Sequence, residues 1–162
     1  MIDFIICFNR NGKIRLNKWF NETSIKEQRK IINLIIKNLN SNSNSNSNSN
    51  SNSNKFNLID SISNFINFNT TILIGKKLIF KKYNNLIFML CINDDDNLNE
   101  LIYLNSIPLF VEILNFHFKN VSELDLIFNF YKLNKIIDQL FINGELISTN
   151  KDYILSNIKL IV

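Results

Sequence analysis

Residues 9–20 read "NRNGKIRLNKWF", and they decide how the chain begins to fold. Asn11 and Gly12 both tolerate positive φ, and they join two apolar-rich stretches, 2–8 and 14–20. An Asn-Gly pair between such stretches is a strong hairpin signal. With a period of two, Ile14, Leu16, Lys18 and Phe20 fall on one face of the second strand, and Arg15, Asn17 and Trp19 on the other. Arg15 is therefore expected beside Trp19 and away from Ile14 and Leu16. Arginine occurs only at positions 10, 15 and 29, in a chain whose positive charge is otherwise lysine. The plain reading of Arg15 is a charge on a solvated strand face. The sharper one is an anion-binding position.

Outward from this hairpin, 162 residues with 46% hydrophobic content suffice for one domain with a proper core. The chain has no alanine, one proline and three glycines, and it uses Asn, Ile, Lys, Phe and Leu heavily. Those residues have A/T-rich codons, so the bias reads as genomic. A net charge of +4 invites a nucleic-acid or anionic-membrane reading. The lysines are scattered among acids without a basic block, which argues against nucleic acid. Cys7 and Cys91 each sit in an apolar run, "FIICF" and "FMLCI", and no secretory leader precedes them. That pattern implies a reducing compartment and no disulfide framework. No apolar run reaches the ~18 residues of a spanning helix. A soluble, cytosolic chain is expected, carried to membranes only by a partner.

After the hairpin, Ser24 and Glu27 fit a capping box, and Ile25, Ile32, Ile35, Ile36 and Leu39 form one helical stripe. Residues 40–54, "NSNSNSNSNSNSNSN", offer nothing to bury and are expected to form a disordered loop within a single domain, residues 1–162. Three strands are expected at 70–75, 77–83 and 86–93, with Tyr83-Asn84-Asn85-Leu86 as a tight turn. A helix spans about Leu98 to Phe118, and Pro108 should kink or restart it. Ser122 caps a further helix with Asp125 at its third position. Its periodicity runs to Ile142, where Asn143-Gly144 should end it. A short helix or tail closes the chain. The order predicts an α/β (α+β) fold, a five-stranded antiparallel sheet with helices on both faces.

Catalytic constellations are missing from the sequence. His117 is the one histidine and lies on a helix, where a structural role is the ordinary one. Neither cysteine has a base nearby, and an apolar setting raises a thiol pKa instead of activating it. There is no phosphate-binding glycine loop, nucleophile elbow or Cys/His metal spacing. Asp94-Asp95-Asp96 lacks the spaced oxygen ligands and turn glycine of a cation loop. The expectation is no enzyme, no catalytic residue, no cofactor and no metal.

"FNRNGKIRLNKWF", "LIFKKYNNLIFMLCI", "FVEIL" and "VSELDLIFNFYKLNKIIDQLFINGELISTN" occur in this order along the chain. Together they make it resemble the small (sigma) subunits of clathrin adaptor complexes over nearly its whole length. The Asn/Ser tract falls where that family has a loop. The resemblance implies a longin-like fold, consistent with the order of elements above. "KWF", "LDLIFNFYK" and "GEL" look most like the plasma-membrane endocytic complex. "VSEL" is closer to the trans-Golgi type and "LIG" to the endosomal type, so those complexes are the alternatives. A longin-type regulator of membrane fusion is a further one, although such proteins usually continue into a fusion helix or tail anchor.

The resemblance implies a non-enzymatic subunit that packs on a large subunit in a heterotetramer with large and medium subunits. It implies a peripheral location on the cytoplasmic face of plasma-membrane coated pits and vesicles. Clathrin and phosphoinositide membrane would be reached indirectly, through the complex. It also implies a binding site for acidic dileucine signals, [DE]xxxL[LI], in cargo tails. By position, Arg15 would face the acidic residue. Leu86, Phe88, Val111, Val121, Leu124 and Leu126 would line the leucine pockets, with Tyr83 and Asn120 at the edge. Asn84 stands where endocytic members carry alanine, and Asn85 replaces a glycine, so an amide would narrow or wet the pocket mouth. Lys81 and Lys82 stand where the family usually has arginines.

Overall fold

The computed structural model describes residues 1–41, 64–67, 73–94 and 99–161. The first hairpin forms as expected, from β1 (Ile2–Asn9) and β2 (Ile14–Trp19). Gly12 takes the positive φ, at 75°. The side-chain oxygen of Asn9 accepts from the backbone N–H groups of Asn11 (3.0 Å) and Lys13 (2.9 Å), which folds the loop over itself. Helix α1 (Ile25–Ser41) begins at the Ser24/Glu27 capping box, where Glu27 N–H donates to the Ser24 hydroxyl at 3.3 Å and Ser24 N–H to Glu27 at 3.2 Å. Ile31, Ile32 and Ile35 form its buried stripe, whereas Ile25 is exposed. Asn40 and Ser41 of the expected loop close α1; residues 42–54 lie outside the described residues.

β3 (Phe65–Asn67), β4 (Lys76–Tyr83) and β5 (Leu86–Asn93) follow. The sheet order is β2-β1-β5-β4-β3, antiparallel throughout. The strand expected at 70–75 is a correction. Leu73, Ile74 and Gly75 form a turn into β4, with Gly75 at φ 68° and Lys76 N–H donating to Leu73 O at 3.1 Å, while residues 70–72 lie outside the described residues. The third strand instead pairs Phe65 with Ile79. A β-branched run mimicked a strand, but the left-handed glycine breaks it.

β1 and β5 are the central strands and carry apolar residues on both faces, the signature of a doubly covered sheet. Along β5, Leu86, Phe88, Leu90 and Ile92 enter one core, and Ile87, Met89 and Cys91 the other. Helix α1 covers the second core through Ile31, Ile32 and Ile35. The first is covered by α2 (Glu100–Phe118), α3 (Glu123–Phe128), α4 (Phe130–Leu140) and α5 (Lys151–Ile161). Helices on both faces of a five-stranded antiparallel sheet match the longin-like expectation.

Several expectations about the helices change. The single helix expected from Ser122 to Ile142 breaks at Asn129 into α3 and α4. α2 runs through Pro108 without a restart. It is also long and apolar enough to cross a membrane by length and composition, contrary to the sequence reading, yet it serves as a core helix, burying Tyr103, Ile107, Phe110, Val111, Ile113 and Leu114. Asn143-Gly144 does not cap α4. The helix gives way at Leu140 to β6 (Phe141–Ile142) and β7 (Glu145–Leu146), and Asn143-Gly144 is the turn between them, with φ of 50° and 76°. The physical reason is docking: Ile2 N–H donates to Gly144 O at 2.8 Å, tying this hairpin to the start of β1.

Candidate functional site

Antiparallel register brings two turns to one end of the sheet. Asn9, the last residue of β1, pairs with Leu86, the first of β5. The β1–β2 loop therefore lies next to the Asn84-Asn85 turn, and Arg10 donates to the Asn84 carbonyl oxygen at 3.1 Å. Asn84 occupies the left-handed region, at φ 52°. Asparagine tolerates that region better than most side-chain-bearing residues.

The opposite wall comes from the α2–α3 connection. Lys119 and Asn120 both have positive φ, 53° and 86°, and reverse the chain sharply. Asn115 holds this reversal: its carbonyl oxygen accepts from Lys119 N–H, and its side-chain oxygen from Val121 N–H at 2.9 Å. Ser122 and Asp125 then form the predicted capping box of α3, with Ser122 N–H donating to Asp125 at 2.9 Å and Asp125 N–H to the Ser122 hydroxyl at 3.3 Å. Val121, Ser122 and Glu123 are thereby presented toward the β4–β5 turn.

Between the two walls lies a groove of about 220 Å³, lined by Tyr83, Asn84, Asn85, Leu86, Val121, Ser122 and Glu123. Tyr83, one of the lining residues, meets the buried Phe88 ring edge-on (centroids 6.0 Å apart), and Phe88 meets Phe110 in the same way (5.8 Å). Edge-to-face packing of this kind holds Tyr83 against the core. Of the residues the sequence singled out, Tyr83, Asn84, Asn85, Leu86 and Val121 line the groove. Phe88, Val111 and Leu126 are buried in the core on the same side of the sheet. Asn120 is exposed in the turn that carries Val121. Leu124 does not join them: it is 62% exposed and is not among the lining residues. Helical geometry explains this, since Leu126 takes the inward position of a short helix and Leu124 turns out.

Arg15 requires a correction. The β1–β2 register slips between Cys7 (opposite Leu16) and Phe8 (opposite Ile14), so β2 carries an extra residue at Arg15. Such a bulge re-aims side chains. Ile14 now packs with Trp19 on the α1 side, and Leu16 and Phe20 on the other. Arg15 reaches α3 instead of sitting beside Trp19. Its Nε donates to Glu123 Oε1 at 2.7 Å, and its Nη2 pairs with the same oxygen. Asn9 Nδ2 also donates to that oxygen, at 2.9 Å. The Arg15 guanidinium, hydrogen-bonded to Glu123, holds that carboxyl below the usual carboxylate range, with Asn9 and Lys13 adding to the effect. Glu123 is thus anionic at neutral pH, one wall of the groove and the partner of Arg15.

Sequence reasoning missed Glu123, Asn9 and Asn115. The signal that pointed to Glu123 was a carboxylate in the first turn of a capped helix, but nothing local linked it to Arg15. His117 is not among the groove's lining residues; its ring lies 4.8 Å from Phe118, and burial followed by Lys132 pushes its pKa down. Burial raises both thiols, Cys7 and Cys91, above their ordinary value. Among the described residues no three His, Cys, Asp or Glu side chains cluster to hold a metal. Asp94 is paired with Lys77 at 2.7 Å, and Asp95 and Asp96 lie outside the described residues.

Comparison with known proteins converges on one family. The family profile described as the clathrin adaptor complex small chain matches residues 1–161. The AP-2 complex subunit sigma of Dictyostelium discoideum is 39% identical over 159 residues, 98% of this chain and 96% of that one. Its counterpart in Saccharomyces cerevisiae is 35% identical over 162 residues, 99% of this chain and 96% of that one. The AP-1 complex subunit sigma-1 of Schizosaccharomyces pombe is 37% identical over 155 residues, 96% of this chain and 82% of the relative. Among structures, a chain of a homology model of the full-length AP-3 complex in a stretched open conformation superposes with a TM-score of 0.61 at 27% identity, covering 99% of this chain and 92% of that one. With the profile spanning nearly every residue and relatives at 35–39% identity covering almost the whole chain, the chain belongs to the clathrin adaptor complex small chain family.

Proposed function

We propose that this chain is the non-enzymatic small subunit of the endocytic clathrin adaptor complex, and that its groove takes acidic dileucine signals from cargo tails. The observation that supports the site is the groove between the β4–β5 turn and α3, flanked by Arg15. The similarity to AP-2 sigma subunits supports the endocytic complex. In this reading the chain packs on a large subunit, assembles with the medium subunit, and meets clathrin and phosphoinositide membrane only through the complex. It then works on the cytoplasmic face of plasma-membrane coated pits. Exposed apolar side chains along α3 and α4, Leu124, Ile127, Phe128, Phe130 and Tyr131, suit burial against such a partner.

Magnitudes fit a weak, collective site. Burying two leucines contributes roughly 1.5–3 kcal/mol each. A partly exposed arginine–carboxylate contact adds at most about 1 kcal/mol. Ordering an extended tail subtracts from that sum, leaving binding on the order of micromolar. Several cargoes and adaptor sites engaged together on one membrane then provide the overall strength.

The test is binding of an acidic dileucine peptide to the assembled complex. Replacing both leucines by serine should abolish binding, and Arg15→Ser should weaken it more at low salt than at high. Binding that ignores the leucines would refute the groove assignment. A trans-Golgi role is the second reading, favoured by the AP-1 relative at 37% identity. The large subunit that co-purifies with this chain decides between the two complexes.

A further inference from the structure

We infer that Glu123 is an internal competitor for Arg15, and that it sets how much an acidic residue in a cargo signal is worth to this site. The inference rests on the proposed dileucine reading and adds a specificity determinant to it. Three observations carry it. Arg15 does not present a bare guanidinium to the groove, because its Nε and Nη2 are both engaged by Glu123 Oε1. Asn9 Nδ2 donates to that same oxygen, so the carboxylate is held by a second residue. Glu123 itself lines the groove, so any ligand carboxylate drawn to Arg15 also meets a second negative charge.

The electrostatics follow directly. A guanidinium already matched by a carboxylate attracts an incoming acid far less than a lone one does. The two anions repel each other across the same cation. Lys13 acts on Glu123 as well, and Arg10 lies across the turn on the Asn84 carbonyl, so the rim stays positive while its centre is neutralised. Acid preference at this site is therefore low, and the leucines dominate selection. The same arrangement explains why loss of Arg15 would do more than remove an attraction. It would leave Glu123 uncompensated and repelling the signal.

Glu123→Gln tests this in the assembled complex. The substitution keeps a side-chain oxygen for Arg15 and leaves the Ser122/Asp125 capping box of α3 untouched. Affinities are measured for an acidic dileucine peptide and for the same peptide with its acid replaced by the amide, at low and moderate salt. The expected result is a rise of about threefold or more in the acidic-to-amide affinity ratio, steepest at low salt. A ratio that stays the same, or equal weakening of both peptides, would overturn the inference and leave Glu123 as a mere support for Arg15. The unaltered complex provides an independent reading: its acidic-to-amide ratio should be below about fivefold, and a larger preference also overturns the idea. A serine-for-leucine peptide separates the two levels. Binding that survives loss of the leucines removes the dileucine reading itself, and the competition with it.

Discussion

Gly144→Ala would place a methyl carbon 2.1 Å from the carbonyl oxygen of Ile2, with the Ile2 carbonyl carbon at 3.0 Å and its nitrogen at 3.1 Å. These are backbone atoms of a fully buried residue in a central strand, so a small side-chain adjustment cannot relieve the contact. The turn must move, which breaks the bond from Ile2 N–H to Gly144 O. Leaving that buried donor unmatched costs about 1–3 kcal/mol. The left-handed φ of 76° adds about 1–2 kcal/mol for a residue with a Cβ. The sum is a destabilisation of roughly 2–5 kcal/mol, enough to lower the melting temperature by about 2–4 °C for each kcal/mol. Gly75→Ala is the internal control. Its φ is 68°, yet nothing lies within 4 Å of the added carbon, so only the conformational cost of about 1–2 kcal/mol applies. Thermal or urea unfolding of the two variants, followed by circular dichroism, measures the difference. Equal losses in both would refute the argument that the β6–β7 hairpin is held by close backbone approach to β1.

Other outcomes follow from the same structure. Glu123 has its carboxyl pulled below 4.5 by Arg15, so the pair stabilises the fold above that pH and the contribution is lost as pH falls through the lowered value. The stability gap between the unaltered chain and Arg15→Ser should therefore shrink on acidification, and a constant gap in acid unfolding curves would contradict the pairing. Cys7 and Cys91 are buried and raised by desolvation, so alkylation at neutral pH should require denaturant. Rapid labelling of the native protein would show that the two cores open. Asn84→Gly keeps the left-handed turn and removes the amide from the groove, so dileucine-peptide affinity should rise with little change in stability. Unchanged affinity would show that the amide does not obstruct the site.

Legibility divided along the range of the interactions. Each feature written in neighbouring residues was readable: the Asn11-Gly12 turn, the paired strands around Asn84-Asn85, and the capping boxes at Ser24/Glu27 and Ser122/Asp125. The order of elements announced a sheet covered on both sides, and the nearly continuous burial along β1 and β5 agrees with it. Five residues that line the groove, Tyr83, Asn84, Asn85, Leu86 and Val121, were named from the sequence by resemblance and not by pattern.

The rest depended on contacts between distant parts of the chain. The third strand took its place by pairing with β4, not by the composition of residues 70–75. Asn143-Gly144 looks like a helix stop, and only its bond to Ile2 makes it a hairpin turn. Arg15 shows the difference most sharply. Strict alternation assigned it to the Trp19 face, whereas the bulge against Cys7 and Phe8 aimed it at a carboxylate 108 residues away. Propensities and caps are settled among near neighbours and survive reading in one dimension. Register, bulges and ion pairs are settled when whole faces compete for burial, and that competition exists only once the sheet and its helices are assembled.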